Sequence, residues 1–297
     1  MTLLKWHPSA WLRDLTAIAS TVLIASVPTA AIGANSGSET VSSSATTAVN
    51  TVSQVPVANL CPSDLTHTVD AIINRSQFAS AQWGVLIEPM SEEDAIYTHA
   101  AGNMLIPASN IKLLTTAAAL RIIADRSPQA LPDFRAKLDV INRYSNNAQA
   151  DQLLQTIGGQ HAVQTALSPL GVQTDGYRQV DGSGLSRGNK AKPSTFVALL
   201  KAMHTTDESE LFYNSLPVSG INGTLRNRFK GTPLQGQVHA KTGTLRGVRA
   251  LSGYVETPAY GTVVFSIVVN QPGQSGGVML AAIDEVVAAI ARVHPCR

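Results

Sequence analysis

The chain has 297 residues, 44% of them hydrophobic, with a formal net charge of +2. That length holds one large domain or two modest ones around a real core. Scattered basic residues and only 5% aromatics exclude the clustered cationic face and base-stacking surface of a nucleic-acid binder.

Lys5, His7 and Arg13 precede an apolar stretch from Leu15 to Val27, followed by small residues through Ala34. This is the pattern of an export signal over residues 1–34, either cleaved or kept as an anchor. Thr16, Ser20, Thr21 and Ser26 interrupt the apolar run, which favours cleavage over a membrane span. Residues 35–60 are Ser-, Thr-, Ala- and Val-rich with almost no charge, and read as a disordered tether. The folded domain is expected over 61–297. Cys61 and Cys296 are the only cysteines and stand near its two ends. In an exported chain they read as one disulfide, worth about 5 kcal/mol for so long a loop. Two unrelated free thiols are the other reading.

Pro62 suits the first position of a helix, and Leu65, Val69, Ile72 and Ile73 follow at helical spacing. Gln82 to Pro89 predicts a buried strand and Ala95 to His99 a second, with residues 90–94 as the turn. An apolar helix is predicted from Ser109 to Ala124, then a break at two prolines and a helix from Phe134 to Arg143. Helices are expected over Ala148 to Ile157 and Gln160 to Leu167, the first ended by Gly158-Gly159. The Gly- and Ser-rich loop Asp181 to Arg187 leads to a helix over Pro193 to His204. From Gln237 the pattern turns to period two, with strands at Gln237 to Thr242, Val248 to Glu256 and Gly261 to Asn270. A last helix spans Gly277 to Val293. This order predicts an α+β fold. One antiparallel sheet is built from both chain ends (about 61–106 and 237–297) and flanked by the terminal helices, with a helical subdomain (about 107–236) inserted between. The seven histidines show no metal-ligand spacing, so no metal or other cofactor is implied.

Three short motifs carry the chemistry. In Ser109-Asn110-Ile111-Lys112 the serine and lysine stand one helical turn apart, on one face. A lysine amine whose pKa is lowered by burial can deprotonate a serine hydroxyl, and a helix N-terminus favours the resulting oxyanion. Ser145-Asn146-Asn147 is a Ser-x-Asn element on a polar loop. Lys241-Thr242-Gly243, followed by Thr244, closes a predicted strand. Each alone is weak: Ser109 reads equally as a helix cap, Ser145 as a turn residue and Lys241 as an exposed strand end. Together and in this order they form the signature of the penicillin-recognising acyl-transfer enzymes. Arg226, Arg246 and Arg249 read first as solvated surface, with a contact to a carboxylate as the other reading.

Further stretches sharpen the likeness: Asp181-Gly-Ser-Gly-Leu-Ser-Arg187, Leu216-Pro-Val-Ser-Gly220 with Gly223-Thr-Leu-Arg226, and Ala240-Lys-Thr-Gly-Thr-Leu245 with Leu251-Ser-Gly-Tyr254. From about Trp83 onward the chain resembles the D-alanyl-D-alanine carboxypeptidase/endopeptidase family, the class C low-molecular-weight penicillin-binding proteins. The resemblance implies a β-lactamase/transpeptidase-like fold. It implies Ser109 as nucleophile, Lys112 as base, and Ser145, linked to both Lys112 and Lys241, as proton relay. Asn147 would bind the substrate amide, Lys241 would supply positive charge, and Thr242, Gly243 and Thr244 would bind the substrate, the threonines at its carboxylate. Ser109 and Thr244 N–H groups would form the oxyanion hole. The implied partners are peptidoglycan stem peptides ending in D-Ala-D-Ala, and β-lactam antibiotics.

One departure stands out. Between Lys112 and Ser145 lie 145 − 112 − 1 = 32 residues, where members of the family carry large extra domains. The chain therefore reads as a minimal core, better suited to small stem peptides than to cross-linked wall. A β-lactamase or esterase of the same fold shares the motifs and is the other enzyme reading. A wall-binding protein that kept the pocket without its catalysis is the reading from another class.

Overall fold

The computed structural model describes residues 60–92 and 94–296. The expected signal, and all of the expected tether but Leu60, lie outside the described residues. The sheet is made by β1 (Gln82–Pro89), β2 (Tyr97–His99), β5 (Val238–Leu245), β6 (Val248–Thr257) and β7 (Gly261–Asn270). Its strand order is β2-β1-β7-β6-β5, antiparallel at every pair. The N-terminal strands thus close against the last strand of the chain, and β5 is left as an edge.

β1 and β7 read as near-continuous apolar runs because both of their faces are covered. Trp83, Val85 and Ile87 of β1, with Val263, Phe265, Ile267 and Val269 of β7, face the terminal helices α1 (Pro62–Ile73) and α8 (Gly276–Ile290). Leu86 and Val264 face the helical block. Cys61 caps α1 and is joined to Cys296, with the two Cα atoms 5.4 Å apart and Leu60 bridged to Val293. The predicted disulfide is present.

The helical block is organised on α2 (Ile111–Arg126), which is buried from Ile111 through Leu120. A helix apolar all round belongs in the middle of a core. Around it pack α3 (Leu131–Asn142), α4 (Asn147–Ile157), α5 (Gly159–Leu167) and α6 (Pro193–His204). A short helix α7 (Ser209–Ser215) and a two-stranded ribbon of β3 (Tyr177–Arg178) and β4 (Lys190–Ala191) complete it.

Several bounds differ from the sequence reading. Ser109 lies in a 3₁₀ turn, Ala108–Asn110, ahead of α2 rather than inside the helix. α3 begins at Leu131, because Pro132 fits a first helical turn where no N–H is needed. β5 continues to Leu245, so Lys241-Thr242-Gly243 sits mid-strand, held in register against Ser252, Leu251 and Ala250 of β6.

Candidate active site

The turn before α2 presents Ser109, and one turn further Lys112 points back at it. Lys112 is fully buried, and its Nζ lies 2.9 Å from Ser109 Oγ. Nζ also reaches Asn147 Oδ1 at 2.8 Å and the Ser183 carbonyl. Burial pulls this amine down to about 8, although Asp151 and Asp181 push the other way. A neutral lysine has two N–H groups and one lone pair. With Asn147 Oδ1 and Ser183 O accepting the two N–H groups, the lone pair is left for the Ser109 hydroxyl.

Buried polar side chains to which sequence reasoning gave no role anchor the turn that carries Ser109. Asn110 Nδ2 donates to Ser252 Oγ at 2.6 Å, and Ser252 Oγ lies 2.8 Å from Ser266 Oγ. The turn is thereby tied to β6 and β7. Ala108, just before Ser109, adopts φ +48, and Ser145 adopts φ +57. Both conformations are unfavourable for residues with a Cβ, and strain of this kind gathers at functional sites.

Ser145 ends the loop after α3, and Asn146 caps α4 by accepting from the Gln149 N–H at 2.9 Å. Lys241, fully buried, sends Nζ to Ser145 Oγ at 2.8 Å and to Thr242 O at 3.1 Å. The expected bond between Ser145 and Lys112 is absent: Lys112 Nζ already has its three partners in Ser109, Asn147 and Ser183. Ser145 therefore joins the site through Lys241 alone. Burial, and after it the charge of Lys112, hold Lys241 well below the ordinary lysine range. The two amines resist carrying protons together.

β5 brings the rest. The Ser219 N–H donates to Val238 O and the Ala240 N–H to Pro217 O, so even-numbered backbone groups of β5 face away from β6. By that alternation the N–H groups of Thr242 and Thr244 face the open edge. Gly243 has a packing role: a Cβ there would come 2.5 Å from Pro107 O and 3.2 Å from Asn110 Oδ1. Only glycine lets the edge strand lie this close to the turn that carries Ser109.

Thr242 and Thr244 point their side chains to the other face of the strand. With Thr224, Arg228, Arg249, Leu280 and Ile283 they line a cavity of about 160 Å³. Thr242 Oγ1 donates to Thr224 Oγ1 at 2.8 Å. Arg228 is paired with Asp284. Arg249 donates only to the carbonyls of Leu245 and Val248, and among the described residues it has no carboxylate partner. Arg226 and Arg246 are exposed. Thr224 and Arg249 thus join the site, although the signature motifs contain neither. No cluster of three or more His, Cys, Asp or Glu suited to a metal occurs among the described residues.

The profile of the D-Ala-D-Ala carboxypeptidase 3 (S13) family matches residues 65–127 and 132–293. A D-alanyl-D-alanine carboxypeptidase of Actinomadura sp. (strain R39) is 40% identical over 186 residues, 57% of this chain and 34% of that protein. Penicillin-sensitive carboxypeptidase A of Dictyostelium discoideum is 30% identical over 175 residues, 52% of this chain and 34% of that protein. The chain thus spans about a third of the length of the curated relatives it matches. In fold it is similar to the TLA-3 extended-spectrum β-lactamase, with a TM-score of 0.64, 16% identity, and coverage of 77% of this chain and 98% of that one.

Proposed function

The chain belongs to the D-Ala-D-Ala carboxypeptidase 3 (S13) family, and from that premise we propose that it is a serine-type D-Ala-D-Ala carboxypeptidase acting on peptidoglycan stem peptides. The observation that carries this reading is the 2.9 Å approach of the buried Lys112 amine to Ser109 Oγ. As a free amine Lys112 takes the Ser109 proton while Oγ attacks the carbonyl of the penultimate D-Ala. At a value of about 8, roughly a tenth of the amine is free at pH 7.

The substrate backbone lies along the open edge of β5, as a strand added to the sheet. The N–H groups of Ser109 and Thr244 stabilise the oxyanion, at about 3–4 kcal/mol per donor. Lys241 and Ser145 pass a proton to the departing D-Ala amine as the C–N bond breaks. The Lys241 charge is most available when Lys112 is neutral, because each amine suppresses the protonation of the other. The terminal carboxylate of the substrate is held by Thr242, Thr244 and Arg249. Water then hydrolyses the ester on Ser109 and frees the shortened peptide. β-Lactams acylate the same serine and release slowly.

The enzyme works outside the cytoplasm, a reading supported by the Cys61–Cys296 disulfide. Among the described residues no helix is long and apolar enough to cross a membrane.

Incubation with a fluorescent penicillin, followed by mass spectrometry, tests the acyl-enzyme. The expected result is a stable adduct on the wild type and none on Ser109→Ala, together with D-Ala release from a D-Ala-D-Ala peptide. Rapid turnover of the penicillin would replace the peptidase by a β-lactamase. A folded wild type that takes no label and releases no D-Ala would leave the non-catalytic, wall-binding alternative.

A further inference from the structure

Both acceptors that orient Lys112 are placed by a single helix. Asn147 and Asp151 stand four residues apart on α4, and so share a face. Asn147 Oδ1 takes one N–H of Lys112 directly, at 2.8 Å. The other acceptor is a backbone carbonyl, that of Ser183, on the loop from Asp181 to Arg187. Asp151 Oδ1 accepts the N–H of this same Ser183 at 2.8 Å.

The loop is wedged between α4 and the nucleophile turn. A Cβ on Gly182 would run into the Ala150 carbonyl, and one on Gly184 into the Ala108 carbonyl. Gly184 also has φ +86, which glycine alone adopts freely. Within the loop Asp181 accepts from the N–H groups of Gly184 at 2.6 Å and Ser186 at 2.7 Å, and from Asn189 Nδ2 at 2.8 Å. Asp181 thus sets the shape of the loop, and Asp151 is its hydrogen-bonded tie to α4.

We propose that Asp151 is a positioning residue of the acylation step: it holds the Ser183 carbonyl on Lys112 Nζ and so leaves the lysine lone pair pointing at Ser109. This rests on the serine-peptidase reading above. It adds a carboxylate that touches neither substrate nor reacting atoms and lies outside the three signature motifs. The groups that titrate or carry charge around Lys112 are Lys241 from β5, Asp151 from α4 and Asp181 from the loop. Asp151 has a second, electrostatic effect: its charge favours the ammonium form of Lys112. Geometry and charge separate in two substitutions. Asp151→Asn keeps an oxygen that can accept from Ser183 but removes the charge. Asp151→Ala removes both.

The test is the acylation rate by fluorescent penicillin from pH 5 to 10, with circular dichroism and thermal melting as checks on folding. Asp151→Asn is expected to keep the plateau rate within about threefold and move the acid limb to lower pH. Asp151→Ala is expected to lower the plateau at least about tenfold, as a misplaced base does. A folded Asp151→Ala with the wild-type plateau overturns the proposal. If Asp151→Ala does not fold, Asp151→Leu, close in shape but without an acceptor for the Ser183 N–H, decides, and a wild-type plateau there overturns the proposal. The Lys112 midpoint is also read by NMR in a Ser109→Ala background, which needs no acylation. A moved midpoint beside an unlabelled wild type sinks only the acyl-enzyme reading.

Discussion

Around Lys112 the amine has three partners within the protein, whereas Arg249, on β6, finds only backbone carbonyls and, among the described residues, no carboxylate. The contrast separates two tasks. The inner half, Ser109 with Lys112, Asn147 and the Ser183 carbonyl, is closed on itself, and a proton transfer there needs no rearrangement. In the outer half, lined by Thr224, Thr242, Thr244 and Arg249, Thr242 spends its hydroxyl proton on Thr224, while the Arg249 guanidinium meets no carboxylate among the described residues. The proposed chemistry on a carboxylate-bearing peptide needs both halves: fixed groups where bonds change, and open ones where the ligand is recognised.

The two halves meet at Gly243, and the largest effect is expected there. Gly243→Val drives side-chain atoms into the Pro107 carbonyl and parts the edge strand from the nucleophile turn. The expected outcome is a folded protein whose penicillin acylation falls by about a hundredfold or more, read from the rate of label incorporation. Wild-type acylation in this variant would mean that the close approach serves no purpose in the chemistry.

Arg249→Gln sharpens the comparison with a smaller effect confined to the outer half. For a peptide ending in a free carboxylate, KM is expected to rise about tenfold to a hundredfold, the loss of one charged hydrogen-bonding group. For the same peptide with a neutral C-terminal amide, kcat/KM should be unchanged, and this also serves as a check on folding. Equal losses on both peptides would assign Arg249 to the β5–β6 turn, whose carbonyls it already bonds.

What could be read in the sequence follows the same division. β1 was legible to the residue, because a buried apolar strand bounded by a polar start and a proline has a plain pattern. The sheet built from both chain ends and the buried α2 were legible for the same reason. The end of β5 was not: Thr242, Gly243 and Thr244 lie on an edge strand where alternation is broken by a glycine that packs against a backbone. Ser109, Lys112, Ser145, Asn147 and Lys241 could be named because their spacing forms motifs. The Ser183 carbonyl is a backbone atom and leaves no mark on residue type. Asn110, bonded to Ser252, stands inside the first motif at a position where the motif accepts any residue. The link between Ser145 and Lys112 was expected from family resemblance, and here the three partners of the lysine leave no room for it.

In the proposed reaction Lys112 acts on Ser109 as a free amine, its basicity lowered by burial to about 8. The most direct measurement is the pH dependence of the wild-type acylation rate with a penicillin whose own charge does not change over the range. Below the lysine value the ammonium has no lone pair to offer, so the rate is predicted to rise as pH increases through about 8 and then level off. A rate that is flat from pH 6 to 10, or that falls across it, would contradict the account.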